Sequence, residues 1–138
     1  MTRPGRRPAL PVIAILLVVG ACGPTAGAGG PPPSAPPGGA VITAEAIAFD
    51  RIELVAPAEA AFPLLFENRE SAPHNVTIVD DADRSLFVGE IFGGPASRTY
   101  DVGPLPPGTY RFRCDVHPEM SGTIIARKAS PYGSAALH

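Results

Sequence analysis

Apolar and polar residues alternate along much of the last two thirds of the chain, from about residue 41 to residue 126. A period of two places successive side chains on opposite faces of a β-strand, whereas no stretch of this region shows the stripe of an amphipathic helix. The alternating runs are Val41, Thr43, Glu45 and Ile47; Phe62, Leu64 and Phe66; the segment HNVTIVD from residue 74; and Tyr110, Phe112 and Cys114, opposite Arg111 and Arg113. The expected last strand is Thr123 to Ala126.

Clusters of turn-forming residues separate these runs at short intervals, at positions 68–73, 80–84, 93–95 and 106–108. Glycine, proline, asparagine and aspartate break strands for distinct conformational reasons, and close spacing of such breaks is typical of a sandwich or barrel. The sequence therefore predicts an all-β domain over residues 40–128, without internal repeats, followed by a flexible tail at 129–138.

The first 39 residues have a different composition. A basic start precedes an apolar run of eleven residues, Ala9 to Val19, which is too short for a bilayer that requires about 20 and is typical of an export signal. The stretch LLVVGAC resembles the bacterial lipobox, which predicts a signal peptide at 1–21 and a lipid on Cys22. Residues 23–39 include six glycines and six prolines, so 22–39 is predicted to be a lipidated cysteine and an extended tether.

These features predict a monomer in the cell envelope, anchored at the outer face of the cytoplasmic membrane or in the periplasm. All 13 acidic residues but only eight of the 11 basic residues follow residue 40, which gives that part a net charge of −5. A negative domain disfavours nucleic acid or a bare anionic membrane as its partner. With Cys22 lipidated, Cys114 is the only remaining thiol, which indicates a reactive group or a metal ligand.

The segment RFRCDVHPEMSGTI contains three soft or borderline metal ligands at intervals of three residues, namely Cys114, His117 and Met120. A loop stiffened by Pro118 can bring these three ligands to one point. Gly122 is expected to give the backbone the conformational freedom to change direction before the last strand. His74, in APHNVTI at the predicted end of a strand, is the candidate fourth ligand. One thiolate, two imidazoles and a thioether suit copper, whereas zinc rarely takes methionine.

The stretch PGTYRFRCDVHPEMSGTI, together with PHN at 73–75, resembles the cupredoxins, the small blue copper proteins of the plastocyanin and amicyanin group. The resemblance covers residues 41–127, and the short interval from cysteine to methionine is most similar to amicyanin. It implies a Greek-key β-sandwich with one copper at one end, His74, Cys114 and His117 as equatorial ligands and Met120 as the axial ligand. It also implies that Asn75 ties the two ligand-bearing loops together by hydrogen bonds.

The expected function is that of a membrane-tethered type 1 copper protein that shuttles single electrons between a donor and an acceptor protein in the envelope. An enzyme is not expected, because both histidines of the domain are used by one site and none remains for a second copper. The alternative is copper buffering or delivery to another cuproprotein. Proteins of that kind often carry tracts rich in methionine or histidine, and this sequence has none.

Overall fold

Nine β-strands form two sheets in the computed structural model, which describes residues 34–129. The predicted signal at 1–21, Cys22, most of the predicted tether and the tail beyond Ala129 lie outside the described residues. The strands are β1 (Ala40–Glu45), β2 (Ala48–Phe49), β3 (Glu53–Pro57), β4 (Phe62–Asn68), β5 (Thr77–Val79), β6 (Ser85–Val88), β7 (Ala96–Val102), β8 (Gly108–Arg113) and β9 (Ser121–Arg127).

The strands pair in the orders β2-β1-β4-β7 and β3-β9-β8-β5-β6, with β1 parallel to β4 and β3 parallel to β9. Alternate residues of β4 are buried, as the period of two predicts. Large side chains from both sheets meet in one core and are almost completely buried: Phe62, Leu64, Phe66, Ile78, Phe112 and Ile124. The predicted all-β sandwich is confirmed. In residues 34–129 no helix could span a membrane.

The first strand is shorter than its alternation suggests. β1 ends at Glu45, and Ala46 and Ile47 follow with φ angles of 54° and 56°. Positive φ at two successive residues is the requirement of a tight hairpin turn, which here returns the chain as β2 to pair Phe49 with Ala44. Ile47 therefore lies in a turn, at a backbone conformation that a β-branched residue rarely adopts.

Gly122 does not provide a flexible turn before the last strand, contrary to the expectation from sequence. It lies inside β9, paired with Phe112 of β8, and its φ is not in the left-handed region. A methyl group at this position would overlap the Phe112 ring and would lie 2.8 Å from the carbonyl oxygen of Ile52. The glycine is required because the aromatic ring packs directly against the backbone.

The described chain enters and leaves the sandwich at the same end. Gly38 and Gly39, which precede β1, and Lys128 and Ala129, which follow β9, line one groove of about 500 Å³. The loops that contain the predicted metal ligands lie at the other ends of these strands, because β9 begins directly after Met120.

Candidate metal centre

Three potential ligand atoms converge at the end of the sandwich where β8 finishes and β9 begins. The Cys114 Sγ lies 3.8 Å from the Nδ1 of His74 and 3.8 Å from the Nδ1 of His117, and the two Nδ1 atoms are 3.1 Å apart. A point equidistant from three atoms at these separations lies about 2.1 Å from each, close to the ~2.0–2.3 Å of metal bonds to imidazole nitrogen and thiolate sulfur. The donor atoms therefore fit a single metal ion.

The loop between β8 and β9 is closed by its own backbone. The Cys114 amide donates to the carbonyl of Met120 over 2.9 Å, and the Met120 amide donates to the carbonyl of His117 over 3.0 Å. These two hydrogen bonds curl the segment so that the cysteine, histidine and methionine of the sequence motif belong to one compact loop. The Met120 side chain is only 2% exposed and belongs to the core cluster.

His74 reaches the site from the loop between β4 and β5, which connects the two sheets. Its backbone amide and carbonyl pair with those of Phe92, each over 3.1 Å, and its side chain is completely buried. The ring Nε2 lies 2.7 Å from a carboxylate oxygen of Glu70. Because an ionised carboxylate only accepts hydrogen bonds, Nε2 carries the proton, and the lone pair on Nδ1 faces Cys114 and His117.

Glu70 is a site residue that the sequence analysis missed. The same carboxylate oxygen accepts a hydrogen bond of 2.9 Å from the amide of Ile47 in the hairpin turn after β1. The pKa of Glu70 is lowered, chiefly by this hydrogen bond from Ile47; burial opposes the shift, and the interaction with His74 adds to the lowering. The only signal in the sequence is an acid four residues before the histidine, and the turn that fixes it is visible only in the fold.

Asn75 lies between the two loops, as the family resemblance implies. Its Oδ1 accepts a hydrogen bond of 2.8 Å from the amide of Asp115, and its Nδ2 donates to the Asp115 carboxylate over 2.8 Å. Thr77 donates to the same carboxylate oxygen over 2.6 Å. Partial burial alone would raise the pKa of Asp115, but the hydrogen bonds from Asn75, Thr77 and Arg113 together lower it. Asp115, which directly follows Cys114, is a second residue that sequence reasoning missed.

The converging groups differ in their access to solvent. His74 and Cys114 are at most 1% exposed, whereas His117 is half-buried at the surface of its loop. The residues on either side of His117, Val116 and Pro118, are exposed. The imidazole of His117 is thus the member of the donor set that a partner molecule could approach most closely.

In the metal-free protein, Glu70→Ala is expected to let the His74 imidazole adopt both tautomers, because no carboxylate then holds the proton on Nε2. The measurement is ¹⁵N NMR of the imidazole, which should show one tautomer in the original protein and a mixture in the variant. Metal affinity should fall by about 10- to 100-fold, the usual effect of losing the hydrogen-bond partner of a ligating histidine. Glu70→Gln, which keeps an acceptor oxygen, is the control. Its tautomer ratio and its metal affinity should lie between those of the original protein and those of Glu70→Ala. An unchanged tautomer in Glu70→Ala would show that Glu70 does not orient the ring.

A small β-sandwich that gathers a thiol and two imidazoles from two loops at one end is the arrangement of a single-domain metal-binding protein. The family comparison agrees with this class. The sequence model of the cupredoxin-like domain matches residues 12–126, most of the chain, and the protein belongs to that family. No curated protein sequence matches the chain.

Solved structures of blue copper proteins share the fold. Dithionite-reduced auracyanin from Roseiflexus castenholzii is 22% identical, with a TM-score of 0.59 over 68% of this chain and 99% of its own. Auracyanin A from Chloroflexus aurantiacus, a "blue" copper protein, is 19% identical, with a TM-score of 0.56 over 63% and 96%. Amicyanin from Paracoccus versutus is 24% identical, with a TM-score of 0.52 over 67% and 84%. At these identities the similarity establishes the fold.

Proposed function

We propose that the protein is a type 1 copper protein that carries single electrons. The observation that carries the proposal is the triangle of donor atoms from His74, Cys114 and His117, with sides of 3.1 to 3.8 Å. Two imidazoles and one thiolate in a plane, with a weak axial thioether, are the ligand set of blue copper sites. The auracyanins and amicyanin with the same fold support the same assignment.

In this proposal His74, Cys114, His117 and Met120 would hold the copper ion, with the Met120 thioether as the weakest donor. A bound copper ion supplies a couple between Cu(II) and Cu(I) that exchanges one electron. The chain contributes a fixed and dry set of ligands, because the side chains of His74, Cys114 and Met120 are almost fully buried. Glu70 fixes the ring of His74, and Asn75 joins the two ligand-bearing loops, so little rearrangement accompanies a change of oxidation state.

We further propose that lipidated Cys22 and the segment rich in glycine and proline tether a monomeric domain in the cell envelope. A donor and an acceptor protein would exchange electrons at the loop that contains His117. Contacts of this type are typically small and short-lived. We propose no catalytic reaction, because both histidines of the domain belong to the one site.

Electron transfer and copper delivery differ in how firmly Cu(I) is held. Near neutral pH, the Cu(I) protein should keep its metal when mixed with an excess of a competing Cu(I) chelator. Electron self-exchange, measured by NMR line broadening in mixtures of the two oxidation states, should be fast. The buried ligands His74 and Cys114 give the chelator no direct access, while the half-buried His117 allows close approach of a second molecule. Rapid loss of copper together with slow exchange would support buffering or delivery instead.

A further inference from the structure

Asp115 is the residue through which the two ligand-bearing loops are joined. Its backbone amide bonds to Asn75, and one oxygen of its carboxylate accepts from Asn75 and Thr77 over 2.8 and 2.6 Å. Asn75 and Thr77 are at most 1% exposed, and Asn75 also donates to the carbonyl of Gly89 over 3.1 Å. The loop before β5 and the loop after β8 therefore share one anionic acceptor.

The second oxygen of this carboxylate faces a cation. The Arg113 Nε lies 3.3 Å from it, and the Asp115 side chain is 31% exposed. Arg113 also lies 3.5 Å from Asp83, which pairs with Arg111 as well. Arg113, Cys114 and Asp115 line one open groove of about 460 Å³. A negative and a positive side chain thus flank the thiol in sequence and line the same groove.

We propose that Asp115 is a positioning residue whose fixed negative charge favours the oxidised state of the bound metal, while the positive charge of Arg113 opposes it. The proposal rests on the proposed copper function. Hydrogen bonds from Asn75 and Thr77 fix this carboxylate on the residue after Cys114, beside the groove that both residues line, and hold the two loops together without metal.

The sign of the effect follows from the charge of the metal. Cu(II) carries one more positive charge than Cu(I), so a nearby anion stabilises Cu(II) more and lowers the reduction potential. Partial exposure of Asp115 and the pairing with Arg113 reduce the magnitude. We expect Asp115 to change the ratio of Cu(II) to Cu(I) affinity by about three- to tenfold, where tenfold corresponds to about 59 mV for a one-electron couple.

The first experiment compares reduction potentials of the copper protein, measured by voltammetry. Asp115→Asn keeps an oxygen acceptor for Asn75 and Thr77 but removes the charge, and it should raise the potential. Arg113→Gln should lower it. Asp83→Asn is the matched control, because it removes the same charge from an exposed partner of Arg113 that does not contact Asn75, and its shift should be smaller. An equal shift in Asp83→Asn, or none in Asp115→Asn, would overturn the role of the fixed charge.

The second experiment needs no copper. Hydrogen exchange of the Asp115 amide in the metal-free protein should be slow in the original chain and in Asp115→Asn, and at least tenfold faster in Asp115→Ala. Equal protection in Asp115→Ala would overturn the positioning role. A protein that bound no copper would contradict the proposed function, yet this measurement would still decide whether Asp115 holds the loops.

Discussion

Cys114→Ser should abolish the intense colour that the oxidised copper protein is expected to show. The colour of a blue copper site arises from the bond between copper and thiolate sulfur, and a serine hydroxyl is a harder and less polarisable ligand. The measurement is the visible absorption spectrum after adding one equivalent of Cu(II). We expect complete loss of the band and a large fall in copper affinity, while the circular dichroism of the β-sandwich persists.

The second cysteine of the chain gives the control for this experiment. Cys22→Ser makes the same substitution outside residues 34–129, at the cysteine proposed to carry the lipid, and should leave the colour intact. Since Cys114 is 1% exposed, the serine hydroxyl would be buried there and should lower the free energy of unfolding by about 1–3 kcal/mol. A Cys114→Ser protein that remained intensely blue would contradict the assignment of Cys114 as a ligand.

Gly122→Ala should destabilise the domain by roughly 2–3 kcal/mol, as inserting a methylene into a close-packed core commonly does. The added methyl would overlap the ring of Phe112, and the carbonyl oxygen of Ile52 at 2.8 Å blocks the other side. A domain of this size loses about 4–8 °C in melting temperature per kcal/mol, so a fall of roughly 10–20 °C is expected. Urea unfolding of the metal-free protein measures the change in stability directly.

Gly103→Ala is the matched control, because nothing in the described structure lies within 4 Å of a methyl group at that position. Its stability should change little. Displacement of Phe112 in Gly122→Ala should also disturb Cys114, two residues further along, and broaden any spectrum of the bound metal. A melting temperature of Gly122→Ala equal to that of Gly103→Ala would show that the ring can move aside without cost.

The period of two in the sequence was enough to predict two packed sheets, because burial alternates along strands such as β4. Ligand chemistry likewise singled out Cys114, His117 and His74, since few metals suit a thiolate, a thioether and imidazoles together. The structure brings the three nitrogen and sulfur atoms together across 40 residues of sequence. Residue types and their spacing were therefore sufficient to predict the two sheets and the ligand residues.

Glu70, Asp115 and the packing role of Gly122 could not be predicted in this way. The function of Glu70 depends on the turn at Ile47, and that of Asp115 depends on loops that meet only after the sheets assemble. Gly122 was expected to supply conformational freedom, but the ring opposite it in β8 decides its identity. Residues whose role is to hold another residue give little signal in sequence, because acids and glycines are common in every loop.

The shared entry and exit of the chain, beside Gly38 and Ala129, determines how the protein can be mounted on a surface. A linker attached before residue 34 or after residue 129 would leave His117 on the far side of the sandwich. The seven residues of β9 separate the two ends by roughly 23 Å at about 3.3 Å per residue. Attachment to an electrode close to residue 34 or residue 129 should therefore present the candidate centre to solution, whereas attachment through the loop at 114–120 would bury it.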